Sequence, residues 1–258
     1  MTLLQSIILG IVQGLTEFFP VSSSAHLRLA KWFMGIAESE QSLYFDLICH
    51  SGTLLALILF LHKEIYATMR DRKAVALFAI ALFPLVPAYF LLKPLRTAAS
   101  DPSYLGYFLM FTSFLLFIAS RKTAVKEQER GIKVKDVLCI GIMQAMALLP
   151  GISRSGSTIT AGRLLGWDWI AAARFSFLLA IPAILGGQAL ETIKLVRESG
   201  SSSGTLPIDC CAAGFCASFA FGMIGVRFMF KIYERAIVRP FAWYCLCAGI
   251  FALWALYG

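Results

Sequence analysis

Charge is what this sequence has least of: Lys, Arg, Asp and Glu together make up 15% of its 258 residues. A soluble chain carries roughly a quarter, so a surface that faces water on every side is excluded. No basic residue precedes Arg28. That excludes the positively charged start of a secretory signal, and the first apolar segment is read as part of the mature protein. The seven cysteines (Cys49, Cys139, Cys210, Cys211, Cys216, Cys245 and Cys247) contain no C-x-x-C pair, which argues against a zinc ribbon or a dithiol redox site. Lying in apolar stretches, they read as small core residues.

What the chain has instead is apolar length. Hydrophobic residues make up 59% of it, with a mean hydropathy of +0.75, and this composition describes an integral membrane protein. The net charge of +8 does not indicate a nucleic-acid partner, because Lys and Arg sit in short connections between apolar runs, where they set membrane orientation.

Eight such runs follow one another: Leu3 to Phe19, Phe45 to Leu61, Ala74 to Leu92, Tyr104 to Ser120, Val137 to Leu149, Ile170 to Leu190, Ile208 to Val226 and Phe241 to Tyr257. A span needs about 20 residues and at least roughly 17, so Val137 to Leu149 is too short. Three connections are rich in basic residues: Lys63, Arg70, Arg72 and Lys73; Arg121, Lys122, Lys126, Arg130, Lys133 and Lys135; Arg227, Lys231, Arg235 and Arg239. The intervening ones carry none between Gly35 and Tyr44, then only Lys93 and Arg96, then Lys194 and Arg197. The positive-inside rule makes the first set cytoplasmic.

That orientation constrains the short run. Between the cytoplasmic Lys135 and an external "SGSSSG" linker (Ser199 to Gly204) the chain crosses an odd number of times, and Ile170 to Leu190 supplies one crossing. Val137 to about Leu165 is therefore expected to enter and leave on one side, as a re-entrant hairpin. Leu3 to Met34 is left as either a helix pair or a re-entrant hairpin entering from the outer face, which gives each half one hairpin and three spans. The expectation is an all-α polytopic membrane protein in a single domain, 1–258: six transmembrane helices and two re-entrant helix pairs in inverted repeats, approximately 1–120 and 136–258. "GIVQGLTEFFPVSSS" (Gly10 to Ser24) resembles "GIMQAMALLPGISRS" (Gly141 to Ser155) with one gap, as an inverted repeat requires.

Each hairpin is broken by a proline, Pro20 or Pro150, followed by residues suited to a new helix start. Freed backbone groups at membrane depth persist only where protein or a watered cavity satisfies them, so two such tips meeting would build a polar pocket. The first tip offers Gln13, Glu17, Ser22, Ser23, Ser24 and His26, with Gln13 and Glu17 on one helix face. The second, "PGISRSGSTIT", offers Ser153, Arg154, Ser155, Gly156, Ser157, Thr158 and Thr160. An arginine between serines, beside a glycine and at a helix start, is a composition for holding an oxyanion, of which phosphate is the natural guest. The bland alternative is an intramembrane Glu–Arg pair with serines capping half-helices. Against it, an ionised group at the bilayer centre costs at least ~2.5 kcal/mol, and a bare structural pair offers little to offset that.

Other polar residues carry weaker signals. Asp46 and His50, four apart in "FDLICHSGTLLAL", either support the site or hold a helix in register. Arg174 is read as snorkelling to the cytoplasmic surface, and Gly10 with Gly14 as a close helix contact.

Taken together, "QGLTEFFPVSSSAHL", "FDLICHSGTLLAL", "LLPGISRSGSTIT" and "ARFSFLLAIPAILGG" resemble the bacterial undecaprenyl-diphosphate phosphatase family, also called the bacitracin-resistance family, over nearly the whole chain and in order. The resemblance implies a hydrolase of the bacterial inner membrane, its site facing the periplasmic side. Such an enzyme removes the terminal phosphate of undecaprenyl diphosphate to regenerate the carrier lipid for peptidoglycan synthesis. It also implies bacitracin resistance, the inverted arrangement of six spans and two re-entrant pairs, and a divalent cation, Mg²⁺ or Ca²⁺. A homodimer is compatible with it. Carried over by position, the catalytic residues are Glu17, Ser23, His26 and Arg154. The phosphate-binding residues are Ser22, Ser24, Ser153, Ser155, Gly156 and Thr158, and the metal ligands are Glu17 and Gln13. Two positions depart from the pattern: Gln13 stands where some members have Glu, and Ser24-Ala25 replaces Thr-Gly.

Two routes to phosphate release remain open at this level. Ser23, or less favourably Ser22, attacks with His26 as general base, or a water oriented by Glu17 and His26 attacks directly. A lipid-phosphate flippase is the competing function, since broken helices in inverted repeats are also a transporter feature.

Overall fold

The computed structural model describes residues 1–121, 132–198 and 206–257. Among them there is no strand. The helices are α1 (Leu3–Thr16), α2 (Ser23–Phe33), α3 (Glu40–Phe60), α4 (His62–Arg70), α5 (Arg72–Leu82), α6 (Leu85–Leu91), α7 (Lys93–Ala98), α8 (Leu105–Arg121), α9 (Val134–Met146), α10 (Arg154–Leu164), α11 (Trp169–Glu198), α12 (Ile208–Glu234) and α13 (Arg239–Tyr257). Lys122, Lys126, Arg130 and the Ser199 to Gly204 linker, all used above to orient the chain, lie outside the described residues.

Among the described residues six segments are long and apolar enough to cross a membrane: α3, α5 continued by α6, α8 with the 3₁₀ turn before it, α11, α12 and α13. They fall on six of the eight apolar runs, and the fold is that of an all-α polytopic membrane protein. One span differs from a plain helix. Phe83 and Pro84 interrupt it between α5 and α6, because proline has no N–H to give and crowds the preceding turn.

The other two runs become pairs of short helices, α1 with α2 and α9 with α10. At 14 residues, α1 reaches about 21 Å, short of the ~30 Å hydrocarbon thickness. A capping box from Thr2 and Gln5 starts α1, and Pro20 stops the chain from continuing past its end. Ser22 then caps α2 with its side chain, which accepts from the Ala25 N–H. In the second pair Ser153 caps α10 in the same manner, accepting from the Gly156 N–H at 3.0 Å. Both breaks are thus punctuated by a proline and a serine cap, which satisfy or remove backbone donors that lipid would leave unpaired.

The two broken tips meet. The Gly151 N–H donates to Ser24 Oγ at 3.4 Å, and Ser155 Oγ donates to the Phe19 carbonyl at 3.2 Å. Around them, α12 fixes the depth of α1 through a seam of small residues. A Cβ placed on Gly10 would stand 2.6 Å from the Gly214 carbonyl oxygen, and one on Gly14 would stand 2.8 Å from that of Ser218. The Gly10 and Gly14 pair is therefore a close helix contact. On the other side of the tips lies the main apolar cluster, in which Phe18, Leu57, Leu116, Phe177 and Tyr233 are buried.

Because the obstructing atoms are backbone, neither helix can yield locally. Gly14→Ala is expected to destabilise the fold by about 1–3 kcal/mol, read as a lower unfolding temperature in detergent, whereas Gly35→Ala meets no neighbour and carries only the cost of its positive φ of 65°. Equal stability of Gly14→Ala and wild type would contradict the seam.

Candidate active site

Glu17 follows the last turn of α1 and is buried, with 7% of its surface exposed. Burial of a carboxylate needs compensation, and four side chains surround it. Arg154 Nη2 donates to Oε1 at 2.6 Å. Gln13 Nε2, one turn earlier on α1, donates to Oε2 at 2.9 Å, and Ser23 Oγ donates to the same oxygen at 2.7 Å. His50 Nε2 of α3 lies 3.7 Å from Oε2. One carboxylate thus ties together α1, α2, α3 and α10.

Arg154 is the first residue of α10, whose first-turn N–H groups have no partner within the helix. Its Nη1 is buried and has no hydrogen-bond partner. An Arg fork with one arm on a carboxylate and the other open is a donor waiting for an oxyanion. The serines before and after it are more committed. Ser153 Oγ caps the helix, and it lies 3.3 Å from Ser155 Oγ, which in turn reaches the Phe19 carbonyl. The Gly156 N–H is held by that cap. Thr158 is not brought to the carboxylate: its hydroxyl bonds the Arg154 carbonyl at 2.9 Å and Ser176 Oγ of α11 at 2.6 Å.

On the first tip, Ser22 adopts φ 70°, a region that non-glycine residues rarely occupy. Its hydroxyl lies 3.2 Å from that of Ser24. The strained cap turns the next residue, Ser23, back onto Glu17. His26 takes no part in that contact. Its Nδ1 lies 2.8 Å from the Ser22 carbonyl, which only accepts, so Nδ1 carries the proton. Its Nε2 lies 2.7 Å from the hydroxyl of Tyr244 on α13. The acceptor of Ser23's proton in this structure is therefore Glu17 and not His26, because a histidine one turn along α2 reaches back to the cap's carbonyl rather than to its neighbour's hydroxyl.

Sequence reasoning had no signal for two residues. Lys31, 1% exposed, sits within 2.6 Å of Asp46 Oδ2, which places Asp46 with α2 rather than with Glu17. Tyr244 lies 218 residues from His26, one of several aromatic residues in a helix rich in them. His50, in contrast, joins the site from the motif that first drew attention to it, its Nδ1 donating to the Asp46 carbonyl at 2.8 Å. Arg174 is exposed near the start of α11.

As possible holders of a cation, Gln13 and Glu17 fit in one specific sense. Gln13 Oε1 is buried and has no hydrogen-bond partner, leaving one oxygen beside the carboxylate in search of a positive group. No group of three or more His, Cys, Asp or Glu side chains suitable for a metal occurs among the described residues. The donor set thus suits an ion such as Mg²⁺ that takes its remaining ligands from substrate phosphate and water.

The ion pair gives a stability prediction. Removing one partner of a buried pair leaves an uncompensated charge and costs on the order of 3–5 kcal/mol. Glu17→Ala and Arg154→Ala are each expected to lower unfolding stability substantially, and the double variant to lose clearly less than their sum. Strict additivity in a double-mutant cycle would contradict the pairing.

The comparisons with known proteins agree with one another. The family model described as bacitracin resistance protein BacA matches residues 6–251. An undecaprenyl-diphosphatase of Protochlamydia amoebophila is 40% identical over 251 residues, covering 97% of each chain. The protein of the same name from Geotalea daltonii is 37% identical over 269 residues, covering 98% of each, and that from Pelobacter propionicus is 36% identical, covering 96% of this chain and 95% of its own. With the match running through both helix tips, α3 and all six membrane helices, the chain belongs to the bacitracin resistance protein BacA family.

Proposed function

We propose that this chain is an undecaprenyl-diphosphate phosphatase that removes the terminal phosphate of the lipid diphosphate and leaves the monophosphate. The observation that carries the mechanism is the Ser23 hydroxyl held at 2.7 Å on Glu17, a carboxylate that also holds one arm of Arg154 and leaves the other open. A nucleophile, its proton acceptor and an oxyanion donor within one hydrogen-bonded cluster are the parts that phosphoryl transfer needs. A flippase would gain nothing from a hydroxyl aimed at a carboxylate.

In this reading Arg154 Nη1 and the first-turn N–H groups of α10 take the terminal phosphate. Ser23 Oγ attacks its phosphorus as the proton passes to Glu17. The anhydride P–O bond breaks, and its electron pair leaves on undecaprenyl monophosphate. Water then attacks the phosphoserine; Glu17 returns the proton to Ser23 Oγ, and the water's protons leave with inorganic phosphate. Gln13 Oε1 and Glu17 would hold a divalent cation, Mg²⁺ or Ca²⁺, that neutralises phosphate charge when bound.

We place the chain in the bacterial inner membrane with the site reached from the periplasmic side. The distribution of basic residues supports that orientation. The inverted repeat is supported by packing: α12 lies against α1 and α3, and α5, its counterpart in the first half, lies against α9 and α11. The apolar exterior suffices to keep the prenyl chain in the bilayer while the diphosphate enters the cleft.

Purified protein in detergent, given undecaprenyl diphosphate, is expected to release inorganic phosphate, to stop on chelation and to recover with Mg²⁺ or Ca²⁺. Ser23→Ala is expected to lose a factor on the order of 10⁶ in kcat, the scale of a lost serine nucleophile, and Ser22→Ala or Ser24→Ala far less. Rapid quench should trap labelled phosphate on Ser23. Full turnover by Ser23→Ala would overturn the covalent route, and lipid exchange across a bilayer without release would favour the flippase.

A further inference from the structure

The geometry points to Tyr244 as a positioning residue for the Ser23 hydroxyl, acting through His26; this rests on the phosphatase reading above. The chain of contacts is short. Tyr244 Oη lies 2.7 Å from His26 Nε2, His26 Nδ1 donates to the Ser22 carbonyl at 2.8 Å, and the His26 N–H donates to the same carbonyl at 3.2 Å. Ser22 is the residue in the left-handed region, φ 70°, and the next residue is Ser23.

Such a turn persists only where its surroundings over-determine it. With Nδ1 protonated by its bond to a carbonyl, the neutral imidazole offers Nε2 as an acceptor, and Tyr244 is the donor. The phenol fixes both the tautomer and the ring's direction, as second partners of histidines do elsewhere. The rings lie nearly parallel, 16° apart with centroids 5.5 Å distant. Tyr244 is 49% exposed, so its ring faces outward from α13 while its hydroxyl, which lipid cannot satisfy, turns inward to His26.

Neighbouring residues of α13 hold the same tip. Phe241 packs edge-on against Phe19 with centroids 5.5 Å apart, and Cys245 Sγ lies 3.8 Å from the Pro20 carbonyl. Three side chains within five residues therefore clamp the segment from Phe19 to His26. Tyr244 is the one that reaches the far side of the strained cap.

Tyr244→Phe keeps the ring and removes only the donor. In the phosphate-release assay its kcat is expected to fall on the order of tenfold, the scale of a slightly misplaced nucleophile. Its KM should stay within about twofold, because the phosphate is held from the α10 side. In a His26→Ala background the same substitution is expected to change kcat by less than about twofold, since its path to Ser23 is already cut. Wild-type kcat in Tyr244→Phe, a change confined to KM, or a repeated tenfold loss in the His26→Ala background would each overturn the proposal. A readout independent of turnover is ¹⁵N NMR of the imidazoles, of which the chain has three. His26 should show the Nδ1–H tautomer, with an Nε2 resonance that moves in Tyr244→Phe. An unmoved resonance would overturn the contact. A correct tautomer with no phosphate release by wild type would instead sink the phosphatase reading alone.

Discussion

A single carboxylate organises this protein. Glu17 accepts from Arg154 of one helix tip and from Gln13 and Ser23 of the other. Without it, two interrupted helices at membrane depth would each present polar groups that hydrocarbon cannot satisfy. The arrangement resolves a conflict that either tip alone would face. An arginine by itself is costly in a bilayer, and so is a glutamate; brought together from distant parts of the chain, each removes the other's penalty. The tips can join because α12 lets α1 approach across Gly214, Ser218 and Gly222.

The same carboxylate links stability to chemistry. Its bond to Arg154 leaves one arm of the guanidinium open, and its bond to Ser23 orients a hydroxyl. In the proposed mechanism, an entering phosphate draws Arg154 partly away from Glu17, and the released carboxylate becomes a better acceptor for the Ser23 proton. The desolvated pair is thus a ground state poised toward phosphoryl transfer, in keeping with electrostatic preorganisation. Gln13 bears on the same balance. A second acid there would place like charge beside Glu17, whereas the amide donates to the carboxylate and leaves its own buried oxygen unpartnered.

Much of this was legible before any coordinates. Run length marked Val137 to Leu149 as too short to span, and the orientation of the basic loops made it a hairpin and left Leu3 to Met34 as a helix pair or a hairpin. A Glu17–Arg154 pair entered the sequence reading only as the bland alternative to a phosphate site, whereas the structure makes the pair and leaves one arm of Arg154 open beside it. Local rules failed where partners come from far away or from unremarkable residues. The sequence left His26 open as a partner of Ser23 or of water, whereas helical geometry directs its ring to the Ser22 carbonyl one turn back and to Tyr244 on α13. Lys31 was invisible as a buried cation because nothing in "RLAKWF" marks which face of α2 meets Asp46. The break at Pro84 was readable from the proline itself, yet the uniform hydropathy around it argued for one continuous helix.

The central claim is that Ser23, held by Glu17, accepts the phosphoryl group before water does. The stereochemical course at phosphorus tests it most directly. With a terminal thiophosphate made chiral by isotopic oxygen and hydrolysed in water of a third oxygen isotope, two in-line displacements through phosphoserine give net retention. Direct attack by water gives inversion, and an inverted product would contradict the account.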